Sequence, residues 1–180
     1  MTNQVVFTHK DFVEKSKLGD RQAQYKLYSL YVNGMFNVCI RMVKSKEDAE
    51  DILQDSFIEA FKNLNSFRYE STFGSWLKRI VINKSINHLK LKRIPLVAVE
   101  DFQNNTPEPE EDTDITEEHL NVDAIIAAIK QLPAGYQTII NLYLIEGYDH
   151  VEIGEILGIS SSTSKSQYHR AKKKLIALMN

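Results

Sequence analysis

Apolar residues recur every three or four positions along most of this chain, the period of helices that each bury one face. Ala49, Ile52, Leu53, Phe57, Ala60 and Leu64 form one stripe; Phe73, Trp76, Leu77, Ile80 and Val81 form another. Turn and capping residues separate the stripes. Gly19-Asp20 breaks a short leading helix, and Asp20 caps a second that the pattern carries from about Arg21 to Val43. Lys44-Ser45-Lys46 is a polar break before a third helix, from about Lys46 to Leu64. The loop NSFRYEST, Asn65 to Thr72, leads into a fourth, from about Phe73 to Leu91. Val122–Gln131 reads as a further helix, and Pro133 opens another that extends to about Ile145. Strand-like alternation is scarce, so the predicted fold class is all-α.

The end of the chain carries the sharpest signal. From His150 to Leu157 runs a short amphipathic helix, followed by a turn containing Gly158 and then a second helix. Gly154 is small where two helices must cross closely, and Ile153, Leu157 and Ile159 supply apolar contacts. That layout is a helix-turn-helix, whose second helix enters the DNA major groove. From Ser164 onward stand Lys165, Arg170, Lys172, Lys173 and Lys174, with no acid among them.

Charge is segregated. The net −2 conceals +6 over residues 1–93, −9 over residues 94–121 and +1 over residues 122–180. The acidic stretch holds no basic residue and contains Pro95, Pro107 and Pro109, so it reads as a flexible linker. Its contour, on the order of 90 Å, lets two domains reach separate places on one duplex. A hydrophobic content of 43% suits packed cores. The single cysteine, Cys39, excludes an internal disulfide and reads as core filler. There is no N-terminal signal pattern and no run long enough to span a bilayer, so the expected location is cytoplasmic, with no membrane insertion.

Candidate surfaces follow from helical phase. On the third helix Asp48, Asp51, Gln54, Asp55 and Ile58 face away from the apolar stripe. An apolar Ile58 among carboxylates points to protein binding rather than plain solvation. On the fourth helix Arg79, Asn83, Ile86 and Lys90 share a face, with Lys84 nearby. With the loop residues Phe67, Arg68 and Tyr69 they suit single-stranded nucleic acid: cations follow phosphates while rings hold an unstacked base. On the last helix Ser164, Tyr168, Ala171, Leu175 and Leu178 are expected to face inward. Ser162, Ser166, His169, Arg170 and Lys173 are expected to face outward, and Ser160 to cap the N-terminus. Thr163, Lys165 and Gln167 complete the candidate duplex-contacting set. His9, His88, His119, His150 and His169 are scattered, and no nucleophile motif or glycine-rich phosphate loop appears. The expectation is therefore a protein that is no enzyme, with no cofactor and no metal.

Three stretches, in this order, resemble the bacterial sigma-70 family, and within it the extracytoplasmic-function (ECF) group. They are DAEDILQDSFIEAFKNLNSFR (Asp48–Arg68), FGSWLKRIVINKSINHLK (Phe73–Lys90) and the segment Leu132–Leu175 that ends in the helix-turn-helix. The resemblance implies two small helical domains: a region 2 bundle over 1–93 and a region 4 helix-turn-helix over 122–180, joined by the acidic linker 94–121. It implies a factor that binds core RNA polymerase through the β′ clamp helices and β flap, and that directs promoter recognition, strand melting and transcription initiation. Asp51, Gln54 and Asp55 match the face that docks on the clamp helices. Phe67 and Asn83 match positions around the pocket for a flipped base of the melted non-template strand in the −10 element. Arg79, Lys84 and Lys90 fall in the melting helix, and Ser162, Ser166, Arg170 and Lys173 in the helix that reads the −35 duplex. An anti-sigma factor is a further candidate partner. Ser164 and Gln167 stand where family members commonly carry valine and arginine, and Asn87 replaces a frequent aspartate. The rival reading is a helix-turn-helix regulator that binds DNA without polymerase; it has no use for the Asp51 and Asp55 face.

Overall fold

The computed structural model describes residues 8–96 and 122–179. Every regular element among them is helical. The flexible linker expected over 94–121 lies outside the described residues except for its first three. The chain falls into two compact units, residues 1–88 and 89–180.

In the first unit, α1 spans Lys10–Lys17, α2 Arg21–Val43 and α3 Lys46–Lys62, with a 3₁₀ turn at Leu64–Ser66; α4, Phe73–Leu91, begins there and ends three residues past the boundary at His88. Local chemistry fixes the ends. Asp20 accepts hydrogen bonds from the amides of Gln22 (2.8 Å) and Ala23 (3.1 Å), which starts α2. Lys44 ends it in the left-handed conformation (φ 63°). Ser45 Oγ accepts from the Asp48 amide at 3.2 Å, and Thr72 Oγ1 from the Ser75 amide at 3.1 Å, starting α3 and α4. α2 packs against both α1 and α3. Leu27, Cys39, Ala49, Phe57, Ala60, Leu64, Leu77, Val81 and Ile82 are buried. Tyr31 meets Phe73 edge-on at 5.2 Å. Burial pushes the Cys39 thiol up to about 11, against a hydrogen bond from Ser85 that lowers it, so the thiol stays protonated and inert.

In the second unit, α5 spans Val122–Gln131, α6 Ala134–Ile140, α7 His150–Leu157 and α8 Ser161–Met179. The helix expected to run from Pro133 to about Ile145 is α-helical only to Ile140. From Asn141 to Ile145 it widens into a π turn, closed by the Glu146 amide donating to Asn141 O at 2.9 Å. Asp149 accepts from Val151 N and Glu152 N, both at 2.8 Å. The Glu152 carboxylate accepts from Asp149 N at 2.9 Å, completing a capping box at the start of α7. α8 is held by α5, α6 and α7 together. Ala171 and Leu175 enter a core with Ala128, Ile129, Leu132, Tyr136 and Ile140. Leu178, expected to face inward, is exposed because α8 outruns this core.

Candidate nucleic-acid interface

The outward side of α3 is as the phase predicts for four of five residues. Asp51, Gln54, Asp55 and Ile58 are exposed, Ile58 at 47%. Asp48 is withdrawn. Its carboxylate is half-buried with Oδ2 3.4 Å from His88 Nε2 on α4, an ion-pair distance with no well-directed hydrogen bond between them. Asp48 therefore ties α3 to α4 as well as bordering the acidic face.

The loop that joins α3 to α4, with Trp76 of α4, forms an open cavity of about 310 Å³ lined by Ser66, Phe67, Arg68, Glu70, Ser71 and Trp76. Phe67 is only 4% exposed. Its ring lies 4.7 Å from Tyr69, 5.3 Å from Trp76 and 6.0 Å from Phe73, centroid to centroid. Phe67 lies around the cavity, as the resemblance implies, though its ring is held by neighbours rather than free. It is wall, locked by its neighbours. Arg68 is exposed at the rim, and Trp76, which the sequence favours as plain core, is half-exposed there.

Tyr69 points elsewhere. It sits in the left-handed conformation (φ 61°). Its hydroxyl donates to Glu14 on α1, and Lys17 Nζ lies 4.6 Å from its ring centroid. Burial first, then Glu14, push the Tyr69 phenol well above its usual range; the Tyr69 bond first, then Lys17, hold Glu14 below its own. Glu14 and Lys17 were invisible as functional residues in the sequence. They sit on a short helix far from the loop in the chain.

On α4, Asn83 and Lys90 are exposed and Arg79 is half-buried. Lys84 is half-buried and its ammonium lies 2.8 Å from Glu59 on α3. Ile86 is a correction: it is 1% exposed, so it belongs to the core and touches no ligand. The buried arc of α4 is wider than the predicted stripe and takes in Ile82, Ser85 and Ile86.

In the second unit Gly158 ends α7 at φ 75°, which a glycine adopts without strain. Ser160 Oγ accepts from Thr163 N at 3.0 Å, capping α8 as expected, and also bonds Ser162 Oγ (2.9 Å) and Thr163 Oγ1 (2.7 Å). Ser162, Lys165, Ser166 and Lys173 are exposed; Thr163, His169 and Arg170 are half-exposed. Gln167 is a correction. At 0% exposure it lies inside the unit and cannot reach a phosphate. Ser164 is also fully buried, and it meets a polar partner rather than a gap: its hydroxyl is 2.9 Å from His150 Nδ1. The His150 ring stacks on Tyr143 of the π turn (4.5 Å, 13°) and lies 5.7 Å from Tyr168. Burial, then Lys165, push the His150 pKa down, with Asp149 opposing. Ser164, His150 and Tyr143 thus lock α8, α7 and the π turn together.

Among the described residues no three His, Cys, Asp or Glu side chains converge as metal ligands, and no helix is long and apolar enough to cross a membrane. The family model described as Sigma-70 region 2 matches residues 27–93, and that for Sigma-70, region 4 matches residues 123–175. The ECF RNA polymerase sigma-E factor of Haemophilus influenzae is 32% identical over 180 residues, covering 92% of this chain and 92% of that protein. The ECF RNA polymerase sigma factor SigW of Bacillus subtilis is 29% identical, covering 92% and 94%. Among solved structures, the sigma factor RpoE of Bartonella quintana, in complex with the anti-sigma factor NepR, shares the fold. Its TM-score is 0.57 at 21% identity, over 86% of this chain and 95% of that one.

Proposed function

We propose the function that follows from a plain premise: this chain belongs to the sigma-70 family of RNA polymerase factors, in its extracytoplasmic-function group. It is a transcription initiation factor that partners core RNA polymerase and directs it to promoters. The exposed row Asp51, Gln54, Asp55 and Ile58 on α3 docks on the β′ clamp helices, and Asp48 supports that row from its edge. The cavity formed by the loop before α4 takes one unpaired base of the −10 non-template strand. Arg68, Arg79, Asn83, Lys84 and Lys90 carry that strand past it. The open N–H groups at the start of α8 and the exposed Ser162, Lys165, Ser166 and Lys173 meet the −35 duplex. His169, Arg170 and Thr163 flank them. The second unit engages the β flap, and an anti-sigma factor competes for these same faces.

The observation that carries this reading is the coexistence in one unit of an exposed carboxylate row on α3 with a cavity and exposed cations beside α4. A regulator acting without polymerase has no need of the carboxylates. The test is run-off transcription by core polymerase with the purified chain. The wild type directs initiation at discrete starts; Asp51→Arg with Asp55→Arg abolishes this and the pull-down of core enzyme, while −35 duplex binding persists. Core polymerase that gains no start-site selectivity from the wild-type chain refutes the function.

A further inference from the structure

The rim of the cavity is not free-standing. Lys17 Nζ donates to the Phe67 carbonyl at 3.3 Å and reaches the Glu14 carboxylate at 3.2 Å. That carboxylate accepts the Tyr69 hydroxyl. Lys17 and Lys10 both approach the Tyr69 ring, at 4.6 and 5.4 Å from its centroid. α1 therefore grips the loop at two places, one on either side of Arg68, and Arg68 and Glu70 both line the cavity. The grip also sustains a left-handed backbone at Tyr69 (φ 61°), a conformation that a bulky residue keeps only when its surroundings impose it. Without it, the turn is free to relax and carry Arg68 and Glu70 away from the cavity.

We propose that α1 belongs to the strand-selecting apparatus: Glu14 and Lys17 are positioning residues that hold the Phe67–Tyr69 backbone so that Arg68 and Glu70 face the base in the cavity. The proposal rests on the reading of that cavity as a base pocket. Arg68 offers donors and Glu70 acceptors, and both must be fixed to within a fraction of an ångström to tell one base edge from another. A clamp from outside the loop supplies that rigidity. Neither Glu14 nor Lys17 lines the cavity, so they act on the base only through the loop.

The experiment uses the full chain assembled with core polymerase. The probe is a promoter mapped by run-off transcription, carrying a preformed bubble whose non-template strand bears A, C, G or T at each unpaired position in turn. In the wild type one position shows a base preference. Lys17→Met and Glu14→Gln should shrink that preference by about fivefold, the order of one net hydrogen bond. Affinity for core polymerase and for −35 duplex should not change. Lys17→Arg, which keeps the donor, should restore the preference, and Tyr69→Phe, which removes only the hydroxyl, should lose it. If Lys17→Met unfolds the unit, Tyr69→Phe decides alone. An equal loss of affinity for all four bases, or a preference left intact, overturns the positioning role while leaving the base pocket standing. Absence of any base preference in the wild type overturns the pocket and the role together.

Discussion

Replacing Gly154 by alanine sets two effects of known sign against each other. Gly154 lies inside α7, where alanine favours a helix by about 1 kcal/mol over glycine. A Cβ built there, however, would stand 2.8 Å from Ile159 O, 3.5 Å from Ser161 N and 3.6 Å from Ser160 C. All three are backbone atoms of the turn and the start of α8, so no side chain can rotate aside. Overpacking of this kind destabilises by about 1–3 kcal/mol. The Gly154 carbonyl is also committed, accepting from Gly158 N at 2.8 Å and Ile159 N at 3.0 Å, so α7 cannot slide without loosening its own end. Sterics win, and the expected net loss is about 1 kcal/mol. Amide exchange across residues 161–179 of the full chain measures it, because the loss belongs to the second unit and should leave α2 protection unchanged. Affinity for −35 duplex should fall with it, since the start of α8 is displaced. Gly34→Ala is the control: Gly34 lies inside α2 with nothing within 4 Å of its Cβ site, so propensity acts unopposed and that unit gains about 0.5–1 kcal/mol. A Gly154→Ala chain as well protected as the wild type would refute the steric argument.

Other perturbations have equally definite outcomes. Lys173→Ala should weaken duplex binding about equally across sequences and lower the salt slope by roughly one; a loss confined to particular sequences, in filter-binding titrations, would instead assign Lys173 to base reading. Asp20→Ala removes the acceptor for two amides and should destabilise the first unit by about 1 kcal/mol in urea titrations, with an unchanged midpoint counting against the cap. His150 gives a pH dependence. Its folded pKa lies below the unfolded 6.5, so the unfolded chain takes up the proton first as pH falls. The stability it confers is complete above the unfolded value and is lost as pH drops through the folded one. His150→Phe keeps the ring between Tyr143 and Tyr168 and should flatten the wild-type slope over this window; identical slopes would exclude His150 as the source.

Element ends were legible because their causes are local. Asp20 and Ser160 cap as the sequence suggests, and the bounds of α2, α4 and α5 follow the apolar pattern, whereas the caps Ser45 and Asp149 emerge only in the structure. The π turn was not legible, since no residue type announces it; within it Tyr143 stacks on His150. Helical phase located the exposed rows but misjudged the width of the buried arc. α8 is enclosed by three helices, so its inward line runs through Ser164, Gln167, Ala171 and Leu175, and a glutamine that looks like a surface residue lies inside. Ile86 fails because the buried arc of α4 also takes in Ile82 and Ser85. The α1 clamp was beyond sequence reasoning, because Glu14 and Tyr69 are 55 positions apart and each is unremarkable alone.

The structure also changes what the charge count means. A net +6 over residues 1–93 suggests a uniformly basic domain, yet the charges are sorted by helix face. Where α3 and α4 approach, Glu59 and Lys84 pair opposite charges at 2.8 Å, and Asp48 Oδ2 stands 3.4 Å from His88 Nε2. What remains exposed is a carboxylate row and a set of cations on different helices. Asp51 and Asp55 on α3 make no ion pair among the described residues and stand beside the exposed apolar Ile58. Lys90, Lys92 and Arg93 stand exposed at the end of α4. Interactions between exposed charges weaken beyond the screening length, about 8–10 Å near physiological salt. On the proposed reading a protein surface carrying cations and a nucleic-acid strand meet different helices, and so do not compete for the same groups.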